Sequence, residues 1–224
     1  MTVDYSLPSA SKQRLLLTGF EPNDDGLNAS QIVVESVATD LPQSCASYGD
    51  QLRCAILPGD TNRLASTLCG LIDEHQADVC LLVGQAPGRS RVTFERLATN
   101  LRDFMVPDRA GNLEAGTVIA PSAPAAYFST LDALRLAQGL TTAGIPAAPS
   151  NHAGNHLCNQ SLYLALHYAA TARPEMRVIF MHIPILPVQV ESRWSDVPTM
   201  SLTMLREAVA VTIQAVLERA APAP

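Results

Sequence analysis

The chain reads as an α/β protein: a three-layer α/β/α sandwich with a mixed, mainly parallel central sheet. Three observations predict this. Short β-rich runs alternate with longer segments of helical period along the 224 residues. Several runs, VCLLV at 79–83 above all, are apolar throughout, so both of their faces need cover, as in a parallel sheet lying between helix layers. The helical segments each carry one apolar stripe, the face that such a sheet requires.

Strands are expected over 14–20 (RLLLTGF), 52–57 (LRCAIL), 79–85 (VCLLVGQ) and 92–98 (VTFERLA), with a short one at 146–150 and another at 178–184 (VIFMHIP). Between them, residues 30–40 align Ile32, Val33, Val37 and Leu41, and residues 63–75 align Leu64, Leu68, Leu71 and Ile72. Each of these helices closes a β-α-β unit. Further helices are expected near 131–143, 157–171 and 201–219. A chain of this length sits near the upper end of what one hydrophobic core supports, so residues 1–224 are expected to form one domain. The prolines at 121–124 and 222–224 span too little chain for a linker, and no internal repeat is visible.

Hydrophobic residues make up 47% and charged residues 16%, the balance of a packed chain rather than a disordered one. The net charge is -6 and no cluster of Lys or Arg could follow a phosphate backbone, which excludes nucleic acid as a partner. Residues 1–12 have no basic head followed by an apolar run, and no segment is long and apolar enough to cross a bilayer. A cytoplasmic protein with no membrane partner is expected. The five cysteines are odd in number and scattered, so they are expected as free thiols, without a disulfide framework or a Cys-x-x-Cys site. Cys54, Cys69 and Cys80 lie in apolar periodic segments and read as small core residues; Cys45 carries no signal.

Ligands of such sheets gather in the loops after the carboxyl ends of strands, and GFEPNDDG, GQAPGRS and SNHAGNHLCN occupy those places. Cys158 follows the last of these polar turns and opens an apolar helix. A thiol there meets the positive end of the helix dipole and unpaired N–H groups, which favours its thiolate and suits acyl transfer; the competing reading is a buried cysteine in the first turn of a core helix. His182 ends an apolar strand and is either a general base or a hydrogen-bonded core histidine. Glu95 is either a surface carboxylate paired with Arg91 or Arg96, or the acceptor that fixes the histidine tautomer. His152 and His156 stand four apart, but Ala153 and Gly154 lie where a zinc helix would carry Glu, so they give only a weak metal signal. GQAPGRS lacks both the Lys-Ser/Thr ending of a phosphate loop and the dinucleotide-binding spacing.

In this order, LLLTGFEP, NASQIVVE, VGQAPGRSRVTFERLATNL, VPDRAGN, PAAYFSTL, GIPAAPSNHAGNHLCNQSLYLALHY and HIPILPVQ resemble pyroglutamyl peptidase I, also called pyrrolidone-carboxylate peptidase. The resemblance covers nearly the whole chain and implies a phosphorylase/hydrolase-like fold. It places the family's Glu of T-x-E-R-x-A-x-N, Cys of A-G-x-x-x-C-N and His of H-[IV]-P on Glu95, Cys158 and His182. The implied activity is removal of N-terminal pyroglutamate from peptides by a cysteine omega-peptidase, without metal or organic cofactor. Phe20, Asn23 and Gln85 are the implied substrate-pocket residues, and a homo-oligomer, dimer or tetramer, is implied as well.

The sequence also departs from the family. Asn23, Asp24 and Asp25 replace the F-G-G of G-F-x-P-F-G-G, and Pro87 replaces a glycine. Met105 stands where the family carries an arginine; Arg102 is three residues away and points to the opposite face in an extended segment. These changes predict altered selectivity or a reduced rate. The alternatives are an impaired homologue that binds lactams or peptides and, less favoured for want of a phosphate cluster, a phosphorylase- or nucleosidase-like enzyme.

Overall fold

A computed structural model describes residues 12–22, 26–190 and 196–218. The elements run β1 (Leu15–Phe20), α1 (Ala29–Thr39), β2 (Leu52–Leu57), α2 (Thr61–His75), β3 (Val79–Gln85), β4 (Val92–Glu95), β5 (Leu97–Thr99), β6 (Ala126–Phe128), α3 (Ala133–Thr142), β7 (Ala147–Ser150), α4 (Leu157–Ala172), β8 (Arg177–Ile183) and α5 (Leu202–Leu217). Six strands form the main sheet in the order β2-β1-β3-β8-β4-β7. β2, β1, β3 and β8 are mutually parallel, β4 runs antiparallel to β8, and β7 runs parallel to β4. The sheet is therefore mixed and mainly parallel, as the apolar strands predict.

Alternation along the strands divides the core in two. Leu15, Leu17, Leu81 and Ile179 pack with residues of α1, α3 and α5, whereas Leu16, Leu82, Val178 and Phe180 pack with residues of α2 and α4. Helix starts follow side-chain caps: Asn28 accepts from Ser30 N, Asp60 from Asn62 N, Asp132 from Leu134 N and Ser201 from Met204 N. The backbone of α1 approaches β1 so closely that a Cβ on Gly19 would lie 2.6 Å from Ser30 O. Among the described residues no helix is long and apolar enough to cross a membrane.

Two expectations need correction. The single strand over 92–98 is two strands, because the chain turns away at Arg96: Arg96 N bonds Ser150 O, while Arg96 O accepts from Ser129 N. Beyond that break, Leu97–Thr99 leaves the main sheet and pairs antiparallel with Ala126–Phe128, a strand the sequence pattern did not single out. The helix expected to 219 ends at Leu217 by its described residues. A 3-10 helix over Gln43–Gln51, polar and without an apolar stripe, was also not foreseen; it sets Cys45 in the core with Sγ 3.4 Å from Ala210 O.

Candidate active site

Sheet register brings the expected residues to one face. Gly84 of β3 is paired with His182 of β8, and on the other side of β8 Thr93 pairs with His182 and Glu95 with Phe180. Because Phe180 and Leu82 belong to the α2/α4 side, Gly84, His182, Thr93 and Glu95 project to that side too. α4 lies over the same face and carries Cys158 in its first turn. Its Sγ sits 3.0 Å from where a Cβ on Gly84 would be. The sulfur thus fills the space of the missing side chain, over the strand that neighbours the one carrying His182. Only glycine at 84 leaves that space.

His182 Nδ1 lies 2.8 Å from Glu95 Oε1, and both side chains are buried. The same oxygen accepts from Arg89 Nη1 at 2.6 Å, and that nitrogen also contacts Thr93 Oγ1. Burial alone would raise the Glu95 carboxyl, but hydrogen bonds from His182, Ser150 and Arg89, with the attraction of His182 whenever it is protonated, outweigh it and hold the group below its ordinary value. Burial, in contrast, depresses the imidazole of His182 despite the carboxylate beside it. Together these directions describe an ionised Glu95 and a neutral His182. With a carboxylate as acceptor, Nδ1 carries the ring hydrogen, so Nε2 presents its lone pair. Glu95 is fully buried and its cation is Arg89, so the reading of a surface carboxylate paired with Arg91 or Arg96 is overturned.

The thiol differs from expectation. Burial pushes Cys158 up to about 12, the Glu95 charge pushes the same way, and Arg89 opposes them. Desolvation therefore opposes the favourable helix end and disfavours the thiolate. His156 caps α4 without a side-chain hydrogen bond, and Leu157 and Cys158 of the first turn line the cavity.

Polar clamps fix this turn from both flanks. Asn159 accepts from Thr99 N at 2.9 Å and donates to Thr99 O and Leu101 O at 2.9 and 3.0 Å. Gln160 accepts from Thr61 Oγ1 at 2.6 Å and donates to Thr61 O at 3.0 Å. Neither residue was singled out from sequence, although both follow Cys158 directly. Arg89 was missed as well; the sequence offers only the Pro87-Gly88 turn pair before it, and in the structure Gly88 has φ +90° and Arg89 N bonds Ala86 O at 3.1 Å. Pro87 fits this turn and helps to aim the arginine.

Cys158 opens on a cavity of about 580 Å³ lined in part by Phe20, Gln85, Pro87, Met105, Val106, Arg109, His152 and His156. Phe20 and Gln85 thus line the cavity; Asn23 lies outside the described residues. The Gln85 carboxamide oxygen accepts from Ala29 N at 2.8 Å and Gln189 Nε2 at 3.0 Å, so it also braces the start of α1. Met105 is 92% exposed at the rim. Arg102 is turned elsewhere, with Nη2 donating to Val118 O at 2.9 Å and Nη1 3.8 Å from Glu114, so it does not take the place of an arginine at 105. The cation that does line the cavity is Arg109, which donates to Pro22 O. Among the described residues no group of three His, Cys, Asp or Glu could hold a metal ion, and His156 Nε2 instead lies 3.3 Å from Val106 O.

The α/β fold and the likeness to known proteins make this chain a hydrolase of the cysteine-peptidase class. The sequence profile described as pyroglutamyl peptidase matches residues 13–219. The chain is 37% identical over 210 residues to the pyrrolidone-carboxylate peptidase of Pyrococcus furiosus, covering 92% of this chain and 98% of that one. It is 40% identical over 190 residues to the pyrrolidone-carboxylate peptidase of Levilactobacillus brevis, covering 85% and 90%. The crystal structure of Bacillus amyloliquefaciens pyroglutamyl peptidase I superposes with a TM-score of 0.82 at 31% identity, over 89% of this chain and 94% of that one. The chain belongs to the pyroglutamyl peptidase I family.

Proposed function

We propose that the protein removes N-terminal pyroglutamate from peptides by acyl-enzyme chemistry, with Cys158 as nucleophile, His182 as general base and acid, and Glu95 as the orienting carboxylate. The observation that carries this reading is the Glu95–His182 hydrogen bond, on the face where the Cys158 sulfur rests over Gly84, the register partner of His182. Sγ attacks the carbonyl carbon of the pyroglutamyl residue as its proton passes to Nε2 of His182. The oxyanion that forms lies toward the first-turn N–H groups of α4. Collapse breaks the C–N bond, His182 returns the proton to the leaving amine, and water then releases pyroglutamate from the thioester. Because burial disfavours the thiolate, proton transfer to Nε2 accompanies the attack in this reading, and the lone pair on Nε2 is needed.

Phe20 supplies an apolar wall for the flat, uncharged lactam, and Gln85 borders it. The exposed Met105 in place of an arginine supports altered selectivity, favouring substrates with an apolar residue after the lactam. In a panel of N-terminally blocked fluorogenic amides, wild type cleaves the pyroglutamyl compound, iodoacetamide abolishes the activity and EDTA leaves it intact. Retained activity in Cys158→Ala overturns the mechanism. Lactam-dependent thermal stabilisation without hydrolysis of any amide would instead favour a binding protein. A homo-oligomer, dimer or tetramer, completes the proposal, checked by light scattering behind size exclusion.

A further inference from the structure

Arg89 belongs to neither the nucleophile, the base nor the substrate wall, yet it touches the parts that must be held together. Its Nη1 donates to Glu95 Oε1 at 2.6 Å, and its Nη2 donates to His152 O at 3.0 Å, in the loop that leads into α4 and Cys158. One planar guanidinium therefore spans from the sheet to the nucleophile loop. Lysine offers a point charge on a flexible stem and cannot make both contacts in fixed geometry. The arginine is aimed by its own turn: Pro87 and Gly88 reverse the chain just ahead of it, and Thr93 meets it two residues before Glu95.

We propose that Arg89 is a positioning residue, which locks the Glu95 carboxylate and the Cys158 loop into one frame and sets the electrostatic field at His182. It rests on the reaction assigned above. The groups facing His182 are Glu95 and Thr93 from β4, Arg89 from the turn before it, His152 from the nucleophile loop and Cys158 from α4; β3 offers Gly84, without a side chain. The charges of Arg89 and His152 add to the burial that depresses His182, whereas Glu95 opposes it. Removing the guanidinium therefore raises the imidazole, so more of it is protonated at a given pH and the acid limb of activity moves up.

The test compares Arg89→Gln and Arg89→Lys with wild type by two measurements. One is the pH titration of the His182 imidazole by NMR in the unliganded protein. The other is the pH profile of kcat and KM on a pyroglutamyl anilide. In Arg89→Gln the imidazole midpoint and the acid limb move up together, by roughly one pH unit, and kcat falls at least ~10-fold while KM stays within about twofold. Arg89→Lys restores the midpoint but not kcat, because the charge returns without the fork. An unmoved midpoint in a folded Arg89→Gln, whether or not its thermal stability drops, overturns the proposal. Should wild type itself hydrolyse no pyroglutamyl amide, the proposed function fails, while the NMR midpoint still decides the role of Arg89.

Discussion

Gly84→Ala adds a single methyl at the point where β3 passes beneath the sulfur. That methyl would lie 2.6 Å from Phe180 Cζ and 3.0 Å from Cys158 Sγ. Ordinary carbon contacts begin near ~3.5 Å, so the ring must retreat by roughly 0.9 Å and the sulfur by roughly 0.5 Å or more. Phe180 has little room, since its centroid is 4.6 Å from the His182 ring and 6.5 Å from Phe20. Overpacking of this kind costs about 1–3 kcal/mol, and displacing reacting groups by about 1 Å costs on the order of 100-fold in rate. The expected outcome is a folded protein with kcat/KM on a pyroglutamyl anilide lowered about 100-fold and a changed rate of Cys158 alkylation. Stopped-assay kinetics, calorimetry and iodoacetamide labelling read these three effects. A Gly84→Ala enzyme with wild-type kcat/KM and alkylation rate would refute the placement of the sulfur over residue 84.

Other outcomes follow from the same geometry. Glu95→Gln replaces the carboxylate that fixes the His182 tautomer with a neutral amide able to donate as well as accept, and is expected to lower kcat by about 10²–10⁴-fold with KM little changed, read by steady-state kinetics. Asn159→Ala strips four hydrogen bonds from the Cys158 turn, and a loss of about 2–4 kcal/mol should appear as a Tm lower by roughly 5–10 °C. His182 is held below its ordinary 6.5 by burial, so as pH falls through that value the unfolded chain takes up a proton that the native protein refuses. Native stability should accordingly drop as pH is lowered from 6.5, and Glu95, held below 4.5, adds a further loss as pH falls below 4.5; His182→Asn should flatten the upper part of a Tm-against-pH curve. Met105→Arg should lower the preference for apolar over acidic residues after the lactam, measured as a ratio of kcat/KM on paired dipeptide substrates.

The layered fold was legible because β1, β3 and β8 carry apolar runs at 15–17, 79–83 and 178–181 and α2 has a clean stripe; such patterns report burial directly. The break at Arg96 was not, because VTFERLA has one continuous β-rich composition and only the tertiary bonds to Ser150 and Ser129 divide it. Cys158, His182 and Glu95 could be named as candidates from their settings at strand and helix ends, and family motifs sharpened the choice. Their proton states could not: a cysteine opening a helix suggests a low-lying thiol, but the burial that raises it to about 12 arises from the strands beneath. Arg89 escaped notice for a similar reason. A lone arginine in a polar turn resembles any solvated one until folding brings Glu95 and the His152 carbonyl to its two nitrogens.

The reversed direction of β4 has an outcome for how the molecule can diversify. Because that strand runs against β8, its last residue, Glu95, is set opposite Phe180, deep beneath the imidazole, instead of emerging into the loops above. The hydrogen-bonded pair of Glu95 and His182 is thus built into woven scaffold, whereas Met105, Val106 and Arg109 ride on the irregular stretch between β5 and β6. Drift in that outlying arm can retune which peptides are accepted while the acid and its imidazole stay in register.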